Sequence, residues 1–271
     1  MIAFGIWTTG RDEAAFELLK TIYNATKDRT IKGCVSYIFC NRIEGEGYWS
    51  DLLIRWARER GLSITTISSS TFEPELKKKD FEEWRVRFHR KAREALVAFP
   101  EDIRVLVGYM LILDHESCTD KAAINLHPAR PGGPKGTWQE VIWRLIEMEA
   151  DVSGVMIHLV TPELDAGPPI SYCTFRIKGE VLDAMWKEFR EKIKDRSLHH
   201  IIKAEGENNP LFRNIRRHGL KREFPLLIHT LRKLAEGEIR IEDGKVINRE
   251  GRILQEGYDL TVAVDKDIRD E

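Results

Sequence analysis

The chain has 271 residues, 42% of them hydrophobic and 9% aromatic, which excludes a disordered or collagen-like polymer and supplies a substantial core. Charged residues reach 32%, but 43 Lys and Arg against 44 Asp and Glu leave a formal net charge of −1, so no long-range field favours nucleic acid or an anionic membrane. The longest apolar stretches, such as Val105 to Leu113, fall far short of the ~20 residues of a spanning helix. Cys34, Cys40, Cys118 and Cys173 show neither zinc-ligand spacing nor a disulfide framework, and no pair of histidines has ligand spacing on a helix. The chain therefore reads as a soluble, reduced, cytoplasmic protein without a metal, acting through local sites.

The first 110 residues alternate between two periodicities. Ile2–Trp7 is a short apolar run that Gly10 interrupts, and Asp12 is placed to cap a helix whose apolar set is Ala15, Leu18, Leu19 and Ile22. Lys32–Asn41 reads as a second strand, Trp49–Arg60 as a helix stopped by Gly61, and Leu62–Ile67 as a third strand. Ser68–Ser70 and Pro74 mark a loop, Asp80–Phe99 a charged helix ended by Pro100, and Ile103–Val107 a fourth buried strand. Strands alternating with helices of this length imply crossover units and a mostly parallel sheet with helices on both faces.

Ala122–His127 is a fifth strand, followed by a loop rich in Pro and Gly up to Gly136. Thr137 is placed to cap a helix over Trp138–Met148. Val152–Thr161 and Pro169–Ile177 read as strands, Val181–Ala204 as one charged helix, Asn208–Lys221 as basic and irregular, and Glu223–Ala235 as a helix stopped by Gly237. Ile239–Ile241 and Val246–Ile247 flank Asp243-Gly244, the pattern of a type I′ hairpin. By chain order this gives an α/β domain over 1–205 and a small C-terminal extension, a helix and a hairpin, over 206–271.

Two polar residues interrupt the fifth strand. Asn125 and His127 lie two apart, so the pleat turns both to one face, at the strand's C-terminal end where open parallel sheets bind their ligands. An amide buried without partners costs roughly 1–3 kcal/mol, so either both are satisfied core residues or they serve a site. Asp165 follows another strand and precedes Ala-Gly-Pro, either as an ordinary turn residue or as a carboxylate held at that strand's end. A carboxamide, an imidazole and a carboxylate together suit acyl transfer: donors hold an oxyanion while the carboxylate supports the imidazole. No Ser or Cys nucleophile elbow and no Walker or GxGxxG pattern is present, which favours direct attack by an external nucleophile.

The stretches Val107-Gly-Tyr-Met-Leu-Ile-Leu113, Ile124-Asn-Leu-His-Pro128 and His158-Leu-Val-Thr-Pro-Glu-Leu-Asp-Ala-Gly-Pro168, with Cys40-Asn41-Arg42 and Glu223–Tyr258, resemble the folate-dependent formyltransferases, nearest to the members acting on glycinamide ribonucleotide. The resemblance implies a Rossmann-like formyltransferase fold, 10-formyltetrahydrofolate as donor and a small-molecule amine as acceptor, with no nucleic acid or membrane partner and room for a homodimer. It implies Asn125, His127 and Asp165 as catalytic residues. Met110, Leu111, Ile112, Leu113, Val160, Thr161 and Glu163 would lie against the folate, although the four from Met110 to Leu113 read equally as strand-end core.

On the acceptor side the pattern departs. The family's Gly-Ser-Asn phosphate loop corresponds to Thr8-Thr9-Gly10-Arg11-Asp12-Glu13, in which Gly10, Arg11 and Asp12 are the candidate contacts or simply an acidic helix start. The loop after Pro128, another candidate contact, reads Ala129-Arg-Pro-Gly-Gly-Pro-Lys-Gly136, and the family's ribose-binding Glu falls on Leu220. The basic run Arg213–Arg222 either replaces lost phosphate contacts or is a solvated face.

Overall fold

A computed structural model of the chain describes residues 1–179 and 181–270. The elements are, in chain order, β1 (Ile2–Thr8), α1 (Glu13–Lys27), β2 (Gly33–Cys40), α2 (Tyr48–Glu59), β3 (Ile64–Thr66), α3 (Pro74–Lys79), α4 (Phe81–Leu96), β4 (Ile103–Val107), α5 (His115–Thr119) and β5 (Ala122–His127). After these come α6 (Trp138–Glu147), β6 (Val152–Leu159), β7 (Pro169–Arg176), α7 (Val181–Asp195), α8 (Leu198–Glu205), a short 3-10 turn (Gly206–Asn208) and α9 (Pro210–Ala235). The chain continues through β8 (Ile239–Glu242), β9 (Lys245–Asn248), β10 (Tyr258–Asp259) and α10 (Thr261–Asp270). Eight strands hydrogen-bond in the order β10-β7-β6-β5-β4-β1-β2-β3, while β8 and β9 form a separate antiparallel pair. The pairs β1/β2, β1/β4, β2/β3, β4/β5 and β7/β10 are all parallel.

By contact, the chain forms two compact units that interleave along the sequence, whereas 1–205 and 206–271 is a partition by chain order. The first unit comprises 1–125, 158–168 and 231–253, and the second 126–157, 169–230 and 254–271. In the first unit, α4 buries Trp84, Phe88, Ala92 and Leu96, one residue per turn, against Trp7, Tyr37 and Phe39 of the sheet. Full burial stabilises by about 1.5–3 kcal/mol for each large apolar side chain, so this aromatic seam dominates the unit's packing. The alternate strand residues Phe4, Ile6 and Ile38 are also buried, and α1 and α2 bury Leu19, Ile22, Leu53 and Ile54. In the second unit α6 buries Val141, Ile142, Leu145 and Ile146, and Trp143 packs on Phe212 with centroids 5.0 Å apart.

Several expectations hold residue by residue. Asp12 accepts from the Ala15 N–H and caps α1, and Thr137 and Glu140 form a reciprocal cap on α6. Asp243 and Gly244 both have positive φ, 50° and 72°, as a type I′ turn requires. Others need correction. The single helix expected over Val181–Ala204 is two, because Ser197 accepts from the His200 N–H and starts α8 afresh. The segment expected to be irregular over Asn208–Lys221 is helical, because Asn209 accepts from the Leu211 and Phe212 N–H groups, each at 3.1 Å, and starts α9. That helix then runs through Pro225 rather than beginning at Glu223. The loop around Pro74 contains the short α3, with its proline in the first turn, and α5, β10 and α10 were not expected at all.

Candidate active site

In the first unit, three connections follow the C-terminal ends of strands β1, β4 and β6. The first follows β1. The Gly10 N–H donates to Thr8 Oγ1 at 3.0 Å, and the Arg11 guanidinium pairs with the Asp12 carboxylate at 3.0 Å with both side chains nearly half exposed. Asp12 also holds the Ala15 N–H at 3.1 Å, so the α1 N-terminus already has its anion.

The second follows β4. The Met110 N–H donates to Thr9 Oγ1 at 2.8 Å, fixing the start of a four-residue ledge. Along it Met110 and Ile112 are 52% and 43% exposed, while Leu113 is only 3% exposed and Leu111 packs partly buried on the aromatic seam, as does Val160. Two large apolar side chains standing in solvent, on a segment tied to the core at both neighbours, form an apolar surface suited to a flat ring.

The third follows β6 and gathers polar side chains. The Val160 N–H donates to the Ala123 carbonyl at 2.7 Å, which draws the end of β6 alongside β5. That pairing brings together Asn125 and His158, distant in sequence, with Asn125 Nδ2 3.5 Å from His158 Nε2. His158 is 2% exposed, and its Nδ1 lies 3.0 Å from the Leu159 carbonyl oxygen. A carbonyl only accepts, so Nδ1 carries a proton, and in the neutral ring Nε2 is then the atom that accepts from the Asn125 amide. Asp165 Oδ1 stands 3.8 Å from the same Nε2. The carboxylate is held there by an unusual turn. Asp165 has a φ of 51°, and the Leu159 N–H donates to the Pro168 carbonyl at 3.0 Å, closing the loop on itself. At Gly167 a side chain would overlap the Leu159 carbonyl, so only glycine allows this closure. Thr161, half-buried, donates to the carbonyl of the exposed Glu163 at 2.9 Å across the same turn.

In the second unit, His127 is 3% exposed and its Nε2 lies 3.0 Å from the Pro134 carbonyl oxygen, so that nitrogen donates. The intervening loop is a packed turn: Pro128 is half-buried, Ala129 is buried, and the Gly133 N–H donates to the Arg130 carbonyl at 2.9 Å. The basic run spends much of its charge internally, with Arg216 paired to Glu223 and Arg222 to Asp265.

The structure thus joins Asn125 and Asp165 around an imidazole that sequence reasoning did not single out, His158. Its signal was present, a histidine inside an apolar strand, but its partners only become neighbours when β6 lies beside β5. Among the described residues, no group of three or more His, Cys, Asp or Glu side chains gathers as a metal site, and no helix is long and apolar enough to cross a membrane.

The family model for formyl transferases matches residues 14–193, well over half of the chain. The chain belongs to the formyl transferase family. A phosphoribosylglycinamide formyltransferase of Escherichia coli strain K12 is 28% identical over 154 residues, 56% of this chain and 64% of the relative, so less than two thirds of that protein is spanned. Among solved structures, glycinamide ribonucleotide transformylase 1 from Symbiobacterium toebii gives a TM-score of 0.63 at 21% identity and covers 94% of each chain. A formyltetrahydrofolate deformylase from Pseudomonas syringae pv. tomato gives 0.59 at 18% identity, covering 91% of this chain and 65% of that one. These likenesses are of fold, and the fold is the Rossmann-like formyltransferase arrangement that the sequence resemblance implies. Within this formyl transferase the matched stretch contains Asn125, His127, His158 and Asp165.

Proposed function

We propose that this chain transfers a formyl group from 10-formyltetrahydrofolate to a primary amine, with glycinamide ribonucleotide as the first acceptor. The observation that carries the reading is the cluster of Asn125, His158 and Asp165 where the last residues of β6 pass beside β5, in the unit that also presents the Met110–Leu113 ledge.

In this reading the acceptor amine adds to the formyl carbon, a new C–N bond forms, and the carbonyl oxygen becomes an oxyanion. The Asn125 amide has two N–H donors; one is directed at His158 Nε2 and the other serves the oxyanion. His127, the remaining catalytic residue that the resemblance implies, is assigned the second donor. Asp165 accepts the proton lost by the amine, directly or through water, and returns it to N10 of the folate as the C–N10 bond breaks. His158 is a positioning residue: its Nδ1 is committed to the backbone, so its Nε2 fixes the rotamer of Asn125 while facing Asp165. Met110, Leu111, Ile112 and Leu113, with Val160, Thr161 and Glu163, are assigned to the donor, and Gly10, Arg11, Asp12 and Pro128 to the acceptor.

Asp12 favours a second acceptor class. Its carboxylate already caps α1 and neutralises Arg11, so a phosphate bound there in the usual manner must displace it. An amine whose phosphates bind elsewhere, such as an amino sugar nucleotide, avoids that cost. The test is an acceptor screen with 10-formyltetrahydrofolate, following folate absorbance with glycinamide ribonucleotide, amino sugar nucleotides and water. Turnover with glycinamide ribonucleotide supports the first choice; turnover only with another amine moves the acceptor, and release of formate alone replaces transfer by hydrolysis.

A further inference from the structure

We infer that His89 and Arg93 of α4 are positioning residues for the donor, holding the two ends of the Met110–Leu113 ledge through Tyr109 and Asp114. The inference rests on the assignment of that ledge to the folate. His89 and Arg93 are four residues apart and therefore share one face of α4.

At the first end, His89 Nδ1 lies 2.9 Å from the Arg85 carbonyl oxygen, so Nδ1 carries the proton and Nε2 is left to accept. The Tyr109 hydroxyl, 3.1 Å away, is its donor. Burial drives the His89 imidazole down to about 4 and the Tyr109 hydroxyl well above its ordinary value, so one proton arrangement persists across the working pH range. The Tyr109 ring stands edge-on to Trp7 with centroids 5.5 Å apart, which fixes its plane as well as its hydroxyl.

At the other end, Asp114 is 2% exposed. It accepts from Arg93 Nη1 at 2.9 and 3.1 Å and from the Ser117 N–H at 3.1 Å, capping α5. Arg93 reaches the Ser117 hydroxyl and Glu116 as well, so its guanidinium has little freedom. Between these anchors only four residues intervene, and the Thr9 hydroxyl holds the first of them by its N–H. A segment that short, pinned outside both ends, keeps Met110 and Ile112 facing outward.

Packing alone does not call for this arrangement. Trp7, Phe39 and Phe88 surround Tyr109 and His89, and an apolar pair of similar shape would fill the space without burying a hydroxyl and an imidazole. What the polar pair adds is direction: one orientation of the ledge satisfies every donor and acceptor. A pre-set ledge spares the donor the cost of ordering it on binding.

The test uses the intact chain with Tyr109→Phe, which removes only the hydroxyl, and the double variant Tyr109→Phe/His89→Leu, which leaves no buried acceptor unpaired. Tetrahydrofolate affinity is read by calorimetry, donor and acceptor KM and kcat by steady-state transfer, and folding by circular dichroism. The expected result is a rise of about fivefold in tetrahydrofolate Kd and donor KM in both variants, with kcat and acceptor KM within about twofold of wild type. Folded variants that bind tetrahydrofolate as tightly as wild type, or that lose kcat without any change in donor KM, overturn the inference. A wild-type chain that does not bind tetrahydrofolate overturns the donor assignment itself, and the inference with it.

Discussion

Gly167→Ala isolates the placement of Asp165 from its chemistry. A methyl group at this position would have the Leu159 carbonyl carbon 2.8 Å away and its oxygen closer still, with Thr161 Cγ2 at 3.1 Å on another side. Both neighbours on the carbonyl are backbone atoms of β6 and cannot rotate aside, so relief requires the 160–168 turn to move by about 1 Å or more from the strand. Asp165 is two residues away on that turn, and its carboxylate stands only 3.8 Å from His158. A misplacement of about 1 Å at a reacting group costs on the order of 10²-fold. The expected result is therefore a fall of about that size in kcat/KM for formyl transfer, with overpacking costing ~1–3 kcal/mol of stability. Steady-state kinetics beside urea unfolding separates the two, since at 25 °C in buffer the folded fraction should stay high enough to assay. Transfer at near wild-type rate by a folded Gly167→Ala protein would refute the claim that this turn sets the position of Asp165.

Three further outcomes are expected. His158→Leu removes the acceptor that fixes Asn125 and should lower kcat by ~10–10²-fold while leaving tetrahydrofolate affinity unchanged; an equal loss of affinity would place His158 in the binding surface instead. Burial holds His89 at about 4 against its ordinary 6.5, despite the nearby Asp114, with Arg93 and Arg85 adding to the depression. A group whose pKa is depressed on folding contributes stability that is complete above pH 6.5 and is lost as pH falls through 6.5 towards 4, here by up to about 3 kcal/mol. Urea titrations between pH 7 and 4 should show that slope in wild type and lose it in Tyr109→Phe/His89→Leu, whereas equal slopes would remove His89 as the cause. Gly219→Ala adds a methyl inside α9 at 3.9 Å from the Phe175 ring, an ordinary contact, so it should stabilise by ~1 kcal/mol and raise Tm by ~2 °C; destabilisation would show that α9 does not accept a side chain there.

Much of the fold was readable because local signals agree with the final packing. Alternating periods, Asp12 and Thr137 as caps, and Asp243-Gly244 as a turn each act over a few residues, where sequence and structure say the same thing. The helix α9 was misread because its basic face looks solvated until Glu223 and Asp265 arrive to pair Arg216 and Arg222, and because Pro225 normally ends a helix. Asn125 stood out as a polar residue in an apolar strand. His158 did not, since its role depends on contacts with Asn125 and Asp165 that only the β5 and β6 alignment creates. The brace from α4 was hidden for the same reason: His89 and Arg93 look like one more charged helix face until Tyr109 and Asp114 are folded against them.

The central claim, that Asn125 acts on the reacting carbonyl rather than on binding, is tested most directly with formyl-labelled 10-formyltetrahydrofolate and the accepted amine, in single turnovers of wild type and Asn125→Ala at matched donor occupancy. The account predicts label on the amine at a rate reduced ~10²–10³-fold in the variant, with tetrahydrofolate affinity unchanged. Equal rates in the two proteins, or a loss of rate fully explained by lost folate affinity, would contradict it.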